Sequence, residues 1–269
     1  MLTFGELFAG IGGFSLGLER AGMKCRWQVE IDDYANRVLQ KHWPSVERWG
    51  DIRTFPPDEN KAWEVDLICA GVPCQPVSLA GKQKGADDGR WMWGEFLRVV
   101  ATLRPSIVVA ENPASILSHD KGSTFAGIVA AICAAGYGLE WHTISAADVG
   151  APHKRERVWL LAYANSKRNA VRRHSEAVPE AMACRGCHAR GSQRDCWTRC
   201  EGSSVQGAST SKEPTFGSQW SSEPAVGRVV DGVPYRVDRL RCLGNAVVPQ
   251  VVELIGRAIM EREHGNPQQ

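Results

Sequence analysis

Strand-like runs alternate with helix-period segments through the first 164 residues, and this restricts the fold more than any other feature. The runs are LTFGELF (2–8), KCRWQVE (24–30), VDLICAG (65–71), SIVVAE (106–111), LEWHTISA (139–146) and RVWLLAYA (157–164). Helical periodicity covers 12–22, 32–43, 94–103 and 124–135. A strand that is apolar at nearly every position must be covered on both faces, and helices between successive strands supply that cover. The pattern predicts an α/β fold with a doubly wound, mostly parallel sheet. Gly22 can take the left-handed cap of the first helix, while Asp32 and Pro44 bracket the second.

After Asn165 the alternation stops, and order returns only at 240–263 with a turn and a closing amphipathic helix. The organisation expected is therefore a main α/β part (1–164), a variable, basic and irregular region (165–238), and a C-terminal segment returning to the first part (239–269). Net charge is only +2, but residues 165–212 carry nine Lys or Arg against four acids. Such a window suits phosphate contact, and it equally suits a solvated loop. It also holds Cys184, Cys187, Cys196 and Cys200, which read either as a structural zinc staple or as reduced thiols in an irregular insert. No run reaches the apolar length of a membrane span, and the N-terminus lacks a signal-peptide pattern. The chain is read as cytoplasmic and reduced, so its nine cysteines are thiols or metal ligands, not a disulfide framework.

Two turns carry chemistry. In FAGIGG (8–13), Gly10, Gly12 and Gly13 lie between a strand and a helix, where backbone N–H groups can meet a ligand. Glu30 ends the next strand twenty residues after Gly10, the position of an acid that grips ribose hydroxyls, and Asp51 follows the strand after that. The turn lacks the full G-x-G-x-x-G pattern, which favours a mononucleoside over a dinucleotide. The second turn, GVPCQPVSL (71–79), displays Cys74 between two prolines just outside a buried strand, whereas Cys69 lies within it and reads as core. A thiol placed there is poised to react.

In order, PCQ (73–75), ENP (111–113), HKRER (153–157) and LGNAV (243–247) resemble the motifs of the cytosine carbon-5 methyltransferases, enzymes of the class I, Rossmann-like fold that use S-adenosylmethionine. The resemblance covers Leu7 to about Ala164 and about Arg239 to Ile259. It implies transfer of a methyl group to carbon 5 of a cytosine turned out of double-stranded DNA, through a covalent adduct of Cys74 at carbon 6. By the same resemblance Glu111, protonated, meets ring nitrogen 3, Arg157 meets the carbonyl oxygen, Arg155 ties the catalytic loop to the core, and Asn112 braces its turn. The cofactor pocket it implies comprises Phe8, Ala9, Gly10, Gly12, Gly13, Glu30, Ile31, Asp51, Ile52, Pro73, Asn245 and Val247, with no catalytic metal.

This chain departs from the family in four places, one of them being 227–241, where the arginine-containing motif that normally precedes the last motif is hard to see. Pro113 follows Glu-Asn where valine is usual, His153 replaces a glutamine, and Arg90-Trp91 stands where Arg-Gly is expected, so Trp91 and Trp93 are left without a cofactor role. The region 165–238 takes the place of the family's target-recognition segment. A monomer acting on DNA beside a cognate restriction endonuclease is the biological setting the resemblance implies. Three other readings stand beside it: a tRNA cytosine-5 methyltransferase of the same family, a catalytically idle DNA-binding relative, and a nicotinamide dehydrogenase, which would leave Cys74 and HKRER without a role.

Overall fold

The computed structural model describes residues 1–57, 61–73, 92–165 and 235–264. They belong to one compact unit. Cys74, the loop around it, and the cysteine-bearing segment with its possible zinc site lie outside the described residues.

The elements run β1 (Thr3–Leu7), α1 (Gly13–Arg20), β2 (Lys24–Val29), α2 (Asp33–His42), β3 (Glu47–Trp49), β4 (Leu67–Gly71), α3 (Trp93–Leu103), β5 (Ile107–Pro113), α4 (Ser123–Ala134), β6 (Tyr137–Ile144), β7 (Arg157–Ala164), α5 (Arg236–Asn245) and α6 (Pro249–His264). The seven strands form one sheet in the order β3-β2-β1-β4-β5-β7-β6. All the neighbours from β3 to β5 pair in parallel. β7 pairs antiparallel to both β5 and β6. The doubly wound, mostly parallel sheet expected from the alternation is present, with β7 reversed between its neighbours.

The apolar runs explain the layering. In β4, Leu67 and Cys69 face one side while Ile68 and Ala70 face the other, and all four are fully buried. On one face the strands pack under α3 and α4, through Phe96, Val99, Val100, Phe125, Ile128 and Ile132. On the other they pack under α1 and α6, through Phe14, Leu18, Val251, Val252, Ile255 and Ile259. The α1–α6 contact is close because both helices present glycine. A methyl group on Gly17 would lie 2.5 Å from Val252, and one on Gly256 would lie 2.8 Å from Ala21.

Local signals set the ends. The N–H groups of Gly22 and Met23 reach back to Glu19 and Leu18, with Gly22 at φ +93°, the left-handed stop expected there. The Asp32 side chain accepts the Ala35 N–H at 2.9 Å and starts α2. By length and composition alone the stretch Arg236–Glu263 could cross a membrane, where the sequence led us to expect no such stretch. It is divided into α5 and α6 at Ala246–Val248, and α6 buries its apolar face in the core.

Candidate active site

From β1 the chain winds outward to β2 and β3, then returns to β4 beside β1 and winds the other way. The carboxyl ends of β1 and β4 therefore flank the switch point, where doubly wound sheets open a crevice. The glycine turn leaves β1 there, and Pro73 follows β4 there. β5 ends next door, with Gly71 of β4 opposite Glu111 in register.

On the β1 side, Gly10 has φ +55°, and none of the described residues comes within 4 Å of where a side chain would begin. Gly12 has φ +85°, and a methyl group on it would lie 2.4 Å from the Trp43 ring. Packing therefore demands glycine at 12, and an open approach is what glycine provides at 10. A methyl group on Gly13 would lie 2.7 Å from Val247 Cγ2, which seats the segment before α6 against the turn. Both oxygens of Glu30 are engaged: Oε2 accepts the Gly10 N–H at 2.7 Å and Oε1 the Asp32 N–H at 2.8 Å. The acid expected to grip ribose thus also braces the glycine turn.

The remaining pocket residues are placed unevenly. Ile31 is 69% exposed beside Glu30. Phe8 takes φ +54° at the head of the turn, and Ala9 is buried behind it. Asp51 caps a 3-10 turn, accepting the Arg53 N–H at 3.0 Å. Ile52 is buried in the core near Phe55, and its carbonyl accepts from Arg98 Nη2 at 2.6 Å and from the Phe55 N–H at 3.1 Å. Pro73 is half-buried and Asn245 exposed. Trp93 is core, edge-on to Phe96.

On the β4–β5 side, Glu111 is 7% exposed. Arg157, at the start of β7, places Nε 2.9 Å from Glu111 Oε1. Burial pushes the Glu111 carboxyl above its ordinary range, and the guanidinium groups of Arg157 and Arg155 pull it back only in part. The result is a carboxyl that keeps its proton to higher pH than a free glutamate. Asn112 Nδ2 donates to the Val72 carbonyl at 3.1 Å, bracing the end of β4 as expected of it. A side-chain atom at Gly71 would lie 3.8 Å from both Glu111 Oε2 and Val247 Cγ1, so the acid, the end of β4 and Val247 converge on one point.

Arg155 precedes β7 at φ +41°. Its Nη2 donates to the carbonyls of Gly244 at 2.9 Å and Ala246 at 2.7 Å. Among the described residues, then, Arg155 holds the segment that carries Val247.

Sequence reasoning passed over Glu6. It lies inside β1 and is 1% exposed. Its carboxyl accepts the N–H groups of Phe14 at 3.3 Å and Ser15 at 3.1 Å, as well as the Ser15 hydroxyl. A charged residue inside an apolar run was the signal available. Among the described residues no cluster of His, Cys, Asp or Glu could hold a metal ion.

The profile of the C-5 cytosine-specific DNA methylases matches residues 2–207. The type II methyltransferase M.HhaI of Haemophilus parahaemolyticus is 36% identical over 165 residues, 61% of this chain and 50% of that protein. M.Eco47II of Escherichia coli, also a type II methyltransferase, is 39% identical over 173 residues, 62% of this chain and 40% of that protein. A solved structure described as a DNA modification methyltransferase encoded within an E. coli prophage superposes with TM-score 0.54 at 25% identity, covering 67% of this chain and 50% of that one. The chain thus spans about half the length, or less, of the proteins it matches.

Proposed function

This chain belongs to the C-5 cytosine-specific DNA methylase family, and we propose from that premise that it transfers a methyl group from S-adenosylmethionine to carbon 5 of cytosine in double-stranded DNA. The observation that carries the reading is the convergence of Glu111, Arg157 and Val247 at the ends of β4 and β5, beside the switch point.

The residues present fit the cofactor. Gly10 leaves open space in the turn among the described residues, Glu30 stands at the end of β2 to meet the ribose, and Val247 closes the pocket from the C-terminal segment. Ile31, Asp51 and Ile52 would hold the adenine. When bound, S-adenosylmethionine supplies an electrophilic methyl group.

The chain's residues would then act on the base. A cytosine within a duplex is out of reach, so it must be turned out of the stack. Cys74, as thiolate, adds to carbon 6, and the ring electrons move to carbon 5. Glu111 donates its proton toward ring nitrogen 3 and Arg157 its N–H groups toward the carbonyl oxygen, drawing charge away from carbon 6 as sulfur arrives. After carbon 5 has taken the methyl group it loses its proton to a base, and the thiolate leaves carbon 6, restoring the aromatic ring. Asn112 holds the carbonyl of Val72 and with it the approach to Cys74.

The variable region 165–238 would supply phosphate contacts, which position DNA without reading its sequence. The test is direct. Purified protein, S-adenosylmethionine and either duplex DNA or tRNA are incubated, and 5-methylcytosine is measured by mass spectrometry. The proposal expects the mark in DNA. A mark in tRNA alone would reassign the substrate, and none in either would remove the activity.

A further inference from the structure

Among the described residues, Glu6 is the one buried acid for which the proposed chemistry has no use. Three donors from the first turn of α1 converge on it: the Phe14 N–H, the Ser15 N–H and the Ser15 hydroxyl. Behind Ser15 stands Gln28 of β2, whose Nε2 donates to Ser15 Oγ at 2.8 Å. Cys25 Sγ lies 3.6 Å from the same oxygen. Glu6 therefore clamps the start of the helix into which the turn Phe8–Gly13 feeds.

Burial pushes the Glu6 carboxyl up to about 8, against the downward pull of its three donors, and Glu30 adds a further upward push. Around it, the titratable groups are Glu30 at the end of β2, Cys25 of β2 and Cys69 of β4. Burial raises both thiols, and Glu6 raises them further, so they stay neutral. Glu30 is the charged group that acts on Glu6. A buried carboxyl hydrogen-bonded to Phe14 and Ser15, the first turn of the helix that the glycine turn feeds, will respond to a charge placed above that turn, because Coulomb interactions are weakly screened in the interior.

We propose that Glu6 is a positioning residue whose ionisation follows the charge of the cofactor, so that the helix start it clamps, and with it the turn that precedes the helix, is held differently around the sulfonium substrate and the neutral thioether product. The inference rests on the cofactor reading above. Binding of the cation favours the carboxylate, and Glu6 gives its proton to solvent. Methyl transfer removes that positive charge, and Glu6 regains a proton from solvent. Affinity for S-adenosylmethionine therefore rises with pH through about 8 and then levels, while affinity for S-adenosylhomocysteine rises less.

Isothermal titration calorimetry in buffers of different ionisation enthalpy counts the protons released on binding. The α-amino groups of both ligands also titrate near this range, so the decisive quantity is the difference between wild type and Glu6→Gln, which keeps an acceptor but cannot ionise. The wild type should release about half a proton more per S-adenosylmethionine at pH 8 than the variant. Its preference for substrate over product should gain roughly three- to tenfold between pH 7 and 9, equivalent to up to about one pKa unit. Equal proton release in the two proteins overturns the proposal. Should Glu6→Gln fail to fold, carbon-13 NMR of carboxyl-labelled glutamate in the wild type decides: the resonance titrating near pH 8 must have a lower midpoint with S-adenosylmethionine than with the product. Equal midpoints overturn the proposal. Failure of S-adenosylmethionine to bind at all removes the proposed function and this inference together, whereas binding without the proton difference removes this inference alone.

Discussion

Arg157 Nε lies 2.9 Å from Glu111 Oε1 across the antiparallel pairing of β7 with β5. The reversed strand makes this possible. It brings the start of β7 to the end of β5, so an arginine that enters one strand meets an acid that leaves the other. Burial raises the acid's affinity for its proton, and the cation sits beside it.

The pH profile should report this pair. Glu111 must be protonated to donate, and its affinity for the proton is raised by burial. Methyl transfer should therefore fall as pH rises through its raised pKa, and Glu111→Gln, which cannot ionise, should lack that alkaline limb. The substitution should also lower kcat/KM by about 10²–10⁴-fold, the usual worth of a positioned acid. Arg157→Ala removes the main downward influence on the carboxyl, so the limb should move to higher pH. Steady-state kinetics across pH, with thermal melts to confirm folding, checks both.

Gly10 and Gly12 should behave differently although they share one turn. Gly12→Ala meets the Trp43 ring at a left-handed φ and should destabilise the protein by about 2–4 kcal/mol in urea unfolding, as overpacking and strain add. Gly10→Ala meets no atom of the described residues and should cost about 1 kcal/mol. Its larger effect should be on S-adenosylmethionine binding, measured by calorimetry. Equal stability losses would contradict the division of roles.

Arg155→Ala should loosen the segment before α6. Two hydrogen bonds from a guanidinium to backbone carbonyls are lost, each worth about 1.5–3 kcal/mol at most. The segment carries Val247, which packs on Gly13. The Kd for S-adenosylmethionine should therefore rise by about tenfold or more, and Arg155→Lys should restore little, because a lysine lacks the planar fork. An unchanged Kd would show that Arg155 does not serve the pocket.

The α1–α6 contact offers a test of the fold itself. Gly256→Val places branched carbon against Ala21 and Leu18 and should cost about 1–3 kcal/mol. The double variant Gly256→Val with Leu18→Ala should recover part of this loss if the clash is the cause.

Fold class was readable in the sequence because β4, β5 and β7 are apolar at consecutive positions, a pattern that two-sided burial explains, and because strand-like and helix-like segments alternate. The reversal of β7 was not, since period and composition are blind to strand direction. Glu111, Arg155 and Arg157 could be singled out from their motifs, but the partners of Arg155, Gly244 and Ala246, lie about ninety residues away and only the fold brings them together. Gly12 was assigned to a ligand when Trp43 also requires it, because a contact thirty residues distant leaves no local trace. Glu6 was absorbed into an apolar run, since its raised proton affinity comes from burial that the sequence does not display.

The central claim concerns Cys74, and a mechanism-based trap reaches it most directly. Duplex DNA carrying 5-fluorocytosine is incubated with the protein and S-adenosylmethionine, then resolved on a denaturing gel, because fluorine at carbon 5 blocks the proton loss that frees the thiol. The account predicts a stable protein–DNA adduct with the wild type and none with Cys74→Ser. An adduct of equal yield with both proteins, or methylation of ordinary DNA by Cys74→Ser at the wild-type rate, would contradict it.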